Sequence, residues 1–308
     1  MKIFDLDRFV NEKMKIIPLS DEDFDSIPDD LYNCHPKTKR ELRSIIKERI
    51  KRDGNKCDLN DIDISEITDM SNLFSSLDSN WVIVKNSVFR SFDGDISKWD
   101  VSHVRNMRGM FCEAELFNGD LSSWNVSSVE NMREMFQGAE SFNGDISKWN
   151  VSNVETMMHM FCRAKNFNGD ISGWDVSHVR NTNCMFVNAV SFNCDLSRWD
   201  VSNVKTMASM FFNAKSFNCD ISGWNVSKVR NMMQMFHMAE LFNCDISVWD
   251  VSNVTNMEMM FDGAKSFNCD LSGWDVRKVR HIKDMFDRCQ LESEPEKQPV
   301  FNQRILVN

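Results

Sequence analysis

Hydrophobic residues recur along most of this chain with a period of 25. The repeat "FNGDISKWNVSNVETMMHMF" begins at Phe142, and a close copy, "FNGDISGWDVSHVRNTNCMF", begins at Phe167. A fixed period of this length indicates a solenoid or another stacked array, and it is too short for a four-stranded propeller blade. Eight tryptophans keep the spacing without a slip: Trp99, Trp124, Trp149, Trp174, Trp199, Trp224, Trp249 and Trp274.

Each repeat combines two hydrophobic patterns. Trp149 and Val151 alternate with polar residues, which predicts a short strand over "KWNVS" with both side chains inward. The apolar residues that follow recur at intervals of three and four, which predicts a short helix. They are Val154, Met157, Met160, Phe161 and Ala164. Stacked repeats would place their strands side by side in a parallel sheet.

The segment before the regular repeats predicts a cap. Thr38 and Glu41 form a capping box, and Gly54 marks the end of a helix. The apolar face of this helix comprises Leu42, Ile45, Ile46 and Ile50, which we expect to cover the open edge of the first repeat. A degenerate repeat follows from Cys57 to Phe74, and an insertion near residues 75–91 contains Trp81.

These patterns predict an α/β repeat solenoid. We expect a right-handed coil like that of leucine-rich repeats, with one short parallel strand and one short helix in each repeat. The predicted parts are an N-terminal helical cap over residues 1–56, a solenoid over 57–289 and a C-terminal tail or cap over 290–308.

Composition and charge argue against several classes of function. The formal charge is −10, which argues against nucleic-acid binding because phosphates need a basic face. The N-terminus lacks the pattern of a signal peptide, and no apolar run is long enough to span a membrane. The ten cysteines follow the repeat rather than a disulfide framework. We therefore expect a cytoplasmic protein and a monomer, with no cofactor and no bound metal.

Three columns of equivalent residues allow a chemical and a structural interpretation. The tryptophans are either core residues or a stacking platform for sugars or bases. The aspartates from Asp95 to Asp270 either form Asx turns or bind a row of Ca²⁺ ions. The position after the repeat's Asn is Gly in the early repeats and Cys in the later ones. These cysteines, Cys194, Cys219, Cys244 and Cys269, are either small packing residues or redox or metal ligands.

Strand side chains that point away from the core would line the concave face of such a coil. Some of these columns are monotonous and others vary, and variation is where a specific partner would be recognised. The alternative is that these residues are only solvated. The candidates for partner binding are Lys98, Asp100, His103, Asn125, Lys148, Asn150, Asp175, His178, Arg198, Asp200, Asn225, Lys228, Asp250, Asp275 and Lys278.

The predicted cap helix is strongly basic, whereas "DEDFDSIPDD" just upstream is acidic. The two segments either neutralise each other, or the helix provides a docking site for an acidic partner. The candidates on the helix are Lys39, Arg40, Arg43 and Lys47.

The repeat "FNxDISxWDVSNVTNMxxMF" resembles the BspA-like leucine-rich-repeat surface proteins, specifically their subfamily with repeats of 25–26 residues. The resemblance extends from about Cys57 to Cys289. It implies a bacterial protein, often a surface lipoprotein with a binding or adhesive role, and it implies no catalytic residues. This chain departs from the pattern because it shows no signal peptide or lipobox.

The sequence thus predicts a non-catalytic solenoid that recognises a protein partner through its concave face and N-terminal cap. No Ser/His/Asp, Cys/His or phosphate-loop signature is found, and we expect no enzyme. One alternative is a surface or secreted adhesin that binds host matrix or glycans. Another is a phage or mobile-element effector that blocks a host defence protein.

Overall fold

The computed structural model describes residues 35–80 and 82–302. Within these ranges one α-helix, α1, spans Lys39–Asp53, and three short 3-10 helices span Val88–Ser91, Gln290–Ser293 and Pro295–Lys297. The rest of the described chain consists of turns and isolated β-bridges. Trp81 and the outer parts of both predicted caps lie outside the described residues.

Helix α1 forms where the sequence predicts it. The side chain of Thr38 accepts the backbone N–H of Glu41 at 3.2 Å, and the Glu41 carboxylate accepts the N–H of Lys37 at 2.8 Å. Gly54 ends the helix at φ +87°, a conformation that costs glycine little. The predicted apolar face is confirmed, since four of its residues are buried: Leu42, Ile45, Ile46 and Ile50.

Successive repeats stack through one parallel bridge each. Asn131 pairs with Thr156, and Thr156 pairs with Asn181, so that the register advances by one repeat at every step to His281. At the start of the array the step along the chain is longer, from Asp69 to its bridge partner Asn106, because the insertion lies between these two residues. The insertion closes on itself through an antiparallel bridge between Leu77 and Ile83.

The predicted strand over "KWNVS" is wrong. The bridge lies at Thr156, beyond that segment, and it is a single residue pair. Two tight turns occupy the predicted strand instead: Trp149 N–H donates to the Ile146 carbonyl at 3.1 Å, and Val154 N–H donates to the Val151 carbonyl at 2.9 Å. Chain folded into consecutive turns cannot extend into a strand, although Trp149 and Val151 both point inward.

The helix predicted within each repeat is also wrong. The N–H of Met160 donates to the Met157 carbonyl, and the N–H of Ala164 donates to the Phe161 carbonyl. These bonds make a series of β-turns. His159 and Arg163 have φ of +58° and +61°, a left-handed conformation that ends a helix. Linked four-residue turns bring every third or fourth side chain inward, so their hydrophobic spacing imitates that of a helix.

Backbone groups left free by these turns bond to the next repeat. His159 N–H donates to the Asn183 carbonyl and Phe161 N–H to the Met185 carbonyl, both at 2.9 Å. Each repeat therefore completes the hydrogen bonding of its neighbour, which satisfies buried polar groups without a helix or a sheet.

Aromatic side chains form the core. Phe136 stacks on Phe161 in the following repeat at 5.6 Å between ring centroids, and on Phe142 in its own repeat at 4.0 Å. Trp149 stacks on Trp174 at 6.4 Å, and its indole N–H donates to the carbonyl of Leu121 at 3.0 Å. Because the eight tryptophans of the regular repeats are at most 5 % exposed, the core interpretation is confirmed and the stacking platform is wrong.

A ladder of asparagine side chains fixes the repeats in register. The side-chain oxygen of Asn118 accepts the backbone N–H of Asn143, and Asn143 accepts that of Asn168, each at 2.8 Å. This ladder continues to Asn268, whose oxygen accepts from Lys297. In the aspartate column, Asp145 accepts the N–H of Ser147 at 3.0 Å, which confirms the Asx turns.

The last repeat is closed by the segment around its two 3-10 helices. Leu291 is fully buried, and Leu271 N–H donates to the Lys297 carbonyl at 2.8 Å. Stacking in register is thus observed from Asp69 to His281, whereas the right-handed, leucine-rich-repeat-like solenoid and the domain boundaries stay predictions.

Replacing Asn143 by Ala removes the acceptor for the backbone N–H of Asn168. We expect the free energy of unfolding in urea to fall by about 1 kcal/mol. The control is Asn166→Ala, an exposed position where other repeats have Ser, and it should leave stability unchanged. Equal stability of the two variants would contradict a register role for the ladder.

Candidate binding surface

Four columns of outward-facing residues run along the stack, one just before and three just after the tryptophan of each repeat. We name each column by its first member. The Lys98 column contains Lys98, Ser123, Lys148, Gly173, Arg198, Gly223, Val248 and Gly273. Its cations Lys98, Lys148 and Arg198 are exposed, and within the described part of the chain none of them forms an ion pair.

The Asp100 column is partly used by the fold. It contains Asp100, Asn125, Asn150, Asp175, Asp200, Asn225, Asp250 and Asp275, and each accepts the backbone N–H two residues later at 2.9–3.2 Å. Hydrogen bonds from Ser202 lower the pKa of Asp200, and those from Arg277 lower the pKa of Asp275 to about 2. These carboxylates form turns and remain negatively charged at neutral pH.

The His103 column contains His103, Ser128, Asn153, His178, Asn203, Lys228, Asn253 and Lys278. Several of its members connect neighbouring repeats. Asn203 donates its amide to the Ser177 carbonyl at 2.8 Å and accepts from the Lys228 ammonium at 2.7 Å. The same arrangement recurs one pair later, where Lys278 donates to Asn253 at 2.6 Å. His103 contacts the Ile64 carbonyl at 3.1 Å, whereas His178 is exposed beside Ser177. The side chains of this column thus connect neighbouring repeats at some positions, and the residue type varies from repeat to repeat.

The Arg105 column contains Arg105, Glu130, Glu155, Arg180, Lys205, Arg230, Thr255 and Arg280. Arg105 pairs with Glu130 in the next repeat at 2.7 Å, and both side chains are exposed. A shallow hollow of about 440 Å³ lies at this end of the column, lined by Arg105, Ser128, Glu130, Asn153, Glu155, His178 and Arg180. The hollow is polar and carries both charge signs.

The structure separates the four predicted cap residues into two pairs. Arg43 donates to the carbonyls of Asn72, Leu73 and Ser75, and its guanidinium lies 4.3 Å from the centroid of the Phe89 ring. Burial lowers the pKa of Arg43 to about 10. Lys39 donates to Asp69 and Ser71. Arg43 and Lys39 therefore hold α1 to the first repeat, and only Arg40 and Lys47 are exposed.

A second variable surface lies at the turns that the sequence pattern assigned to a helix. Glu113 is 3 % exposed and pairs with Arg163, two repeats away. The intervening repeat has Gly138, at φ +70°, and a Cβ there would lie 2.6 Å from the Glu113 carboxylate. The pair exists because the residue between its members has no side chain.

Other charged groups on this surface are also neutralised within the fold. Glu134 is 8 % exposed and pairs with Arg108 at 3.2 Å and Arg133 at 2.8 Å. Asp262 pairs with His237 at 3.2 Å and Arg288 at 2.7 Å. Sequence reasoning missed these groups, which lie outside the apolar positions of the predicted helix.

The cysteine column is made of thiols packed against backbone. Cys219 Sγ lies 3.1 Å from the Asn193 carbonyl, and burial raises the pKa of Cys219 to about 11. The glycines that precede it in the column have no positive φ, so the position requires a small side chain, as predicted. Among residues 35–80 and 82–302 no cluster of three or more His, Cys, Asp or Glu could hold a metal ion.

Two overlapping segments, residues 80–198 and 185–298, match the family described as "Mycoplasma protein of unknown function, DUF285". Together they cover more than two thirds of the chain. The chain belongs to this family. The DUF285 match agrees with the sequence resemblance at the coarse level of a bacterial tandem-repeat family. No match was found among curated proteins. In the described part of this DUF285 chain, no helix is long and apolar enough to cross a membrane.

Gly138→Ala adds a methyl group against the Glu113 carboxylate and strains a left-handed residue. We expect the free energy of unfolding to fall by about 2–4 kcal/mol, because the buried ion pair must separate. Gly173→Ala is the matched control, since a Cβ there meets nothing within 4 Å. If Gly138→Ala lowers the free energy of unfolding only slightly, the ion pair between Glu113 and Arg163 is not held as described.

His159 makes stability depend on pH. Burial lowers its pKa to about 4, from an unfolded value near 6.5. Between these values the unfolded chain binds a proton that the folded chain does not, so stability falls as the pH drops from 6.5 to 4. We expect the protonation of His159 to lower the free energy of unfolding by about 2 kcal/mol over this pH range.

The measurement is a urea titration at several pH values. His159→Asn should flatten the dependence between pH 6.5 and 4 while keeping the left-handed backbone, which Asn tolerates. An unchanged slope in this variant would assign the pH dependence to other groups.

Proposed function

We propose that this chain is a non-catalytic binding protein that recognises a protein partner. One observation carries the proposal: the interior of every repeat is nearly constant, while the Lys98, His103 and Arg105 columns vary on the same backbone. Constant packing holds these side chains at fixed positions, and their variation gives each repeat a different chemical character. Such a surface suits recognition, because little conformational freedom is lost on binding.

Charge distribution supports the Lys98 column as part of the contact. Its three cations project from alternate repeats of a chain with a net charge of −10. Because these exposed cations form no ion pair with the residues that the structure describes, they are available to acidic groups, and they would steer a complementary partner during encounter.

The architecture and the subfamily of this chain are part of the same proposal. We propose a leucine-rich-repeat-like solenoid of the BspA-like subfamily that acts as a monomer. The N-terminal region would contribute to the contact through Arg40 and Lys47, which α1 leaves exposed. A cytoplasmic location remains part of this proposal.

A surface adhesin is the second candidate. Membership of a bacterial tandem-repeat family supports it, because the proposed BspA-like relatives include surface proteins. In that case the same columns would bind matrix proteins or glycans of a host.

Affinity capture from a lysate of the source organism tests the first proposal. The full chain is compared with the triple variant Lys98→Gln, Lys148→Gln, Arg198→Gln. We expect one captured protein to decrease at least tenfold with the variant, because each lost cation removes a contact with the partner. Binding of the purified partner should weaken as salt increases.

The matched control is Lys165→Gln, Lys215→Gln, Lys265→Gln, which removes the same charge from a column that forms ion pairs with Glu140 and Glu240. This control should retain the captured protein. Capture that is equal with all three proteins would contradict the proposed face, and binding only to host matrix or glycans would favour the adhesin.

A further inference from the structure

The Arg105 column changes character in the middle of the stack. Its first members, Arg105, Glu130 and Glu155, have mixed signs, and the first two form an ion pair. The next three repeats supply Arg180, Lys205 and Arg230, and Arg280 follows after Thr255. All four of these cations are exposed, and none has an acidic partner within ion-pair distance among the residues that the structure describes.

The backbone holds these cations in a line. Lys205 N–H donates to the Arg180 carbonyl at 3.0 Å, and Arg230 N–H donates to the Lys205 carbonyl at 3.0 Å. The line continues through Thr255 to Arg280 at 2.9 and 2.8 Å. At about 4.8 Å per repeat, the distance from Arg180 to Arg280 is roughly 19 Å. We call Arg180, Lys205, Arg230 and Arg280 the cationic row.

Another basic column, Lys165, Lys215 and Lys265, is neutralised by the fold. Lys165 pairs with Glu140 at 2.8 Å, and Glu240 accepts from both Lys215 and Lys265. Lys228 and Lys278, next to the cationic row, donate to Asn203 and Asn253 instead. Like the cations of the Lys98 column, those of the cationic row have no ion-pair partner in the described residues, but the row is longer and three of its members lie in consecutive repeats.

A line of like charges with no partner opposes folding. None of the four side chains packs in the core, and their backbone bonds do not depend on residue type. These cations have no packing role, so their charge is available to a ligand that supplies negative charge.

We propose that the cationic row binds an extended acidic segment of a protein partner. This inference rests on the proposed function and adds the chemistry and the location of one contact. A segment of about six residues would match the row, since an extended chain rises about 3.3 Å per residue. Arginine at three of the four positions suits carboxylates, which it can bind through two parallel hydrogen bonds.

The surroundings of the row favour a peptide over nucleic acid. A single strand of nucleic acid usually stacks its bases on exposed aromatic side chains, and the described tryptophans of the repeats are buried.

The test uses the full chain and a fluorescently labelled peptide of ten glutamates, followed by fluorescence anisotropy at low salt. The variant is Arg180→Gln, Lys205→Gln, Arg230→Gln. We expect binding at least tenfold weaker than that of the native chain, and affinity that falls as salt rises. The melting temperature should stay the same or rise, because repulsion within the row is removed.

The control is again Lys165→Gln, Lys215→Gln, Lys265→Gln, which changes net charge equally and should alter affinity less than twofold. Equal weakening in both variants would overturn the proposal, since only total charge would then matter. Absence of peptide binding to the native chain would also overturn it. Tighter binding of a heparin oligosaccharide or a single-stranded DNA of equal charge, lost in the same variant, would show that the occupant is not a peptide.

The outcomes separate this inference from the proposed function. If the row variant still captures the partner that the Lys98-column variant loses, the cationic row is not the contact and the protein-binding function stands. If the row binds the acidic peptide but no protein partner is captured, the row is a polyanion site and the proposed function fails.

Discussion

Every repeat depends on its neighbours for the hydrogen bonds of its own backbone. Turn residues such as His159 and Phe161 donate to carbonyls of the next repeat, and the indole of Trp149 donates to a carbonyl of the previous one. A buried N–H or carbonyl without a partner is costly, so an isolated repeat would be unstable. The two ends of the array therefore need different solutions.

At the first end of the array, backbone carbonyl groups need donors from outside the repeats, and the guanidinium of Arg43 supplies them. Arg43 supplies several N–H donors to the carbonyls of Asn72, Leu73 and Ser75, while the apolar face of α1 covers the side chains below. At the other end Glu292 accepts the N–H of Arg288, and Lys297 completes the asparagine ladder. Two of the four basic residues of α1 that resemble a binding site in the sequence, Lys39 and Arg43, thus serve to close the fold.

The same dependence explains where variation is tolerated. Positions whose backbone carries the contacts between repeats can change their side chains freely, and the Arg105 column is the clearest case. Charged residues at the left-handed turns occur in a compensated set at Glu113, Gly138 and Arg163. The fold thereby separates one surface that neutralises its own charges from another that leaves a row of cations open to a partner.

The sequence by itself determined the period, the register, the inward residues and helix α1, because each of these depends on spacing or on contacts close along the chain. It also identified the Asx turns and the need for a small residue in the cysteine column. Only the tertiary structure decided that the repeats contain turns rather than a strand and a helix, since four-residue turns and a helix share the same hydrophobic spacing. It alone decided that Arg43 and Glu113 are buried and paired while Arg180, Lys205 and Arg230 are not, because those partners lie one or more repeats away.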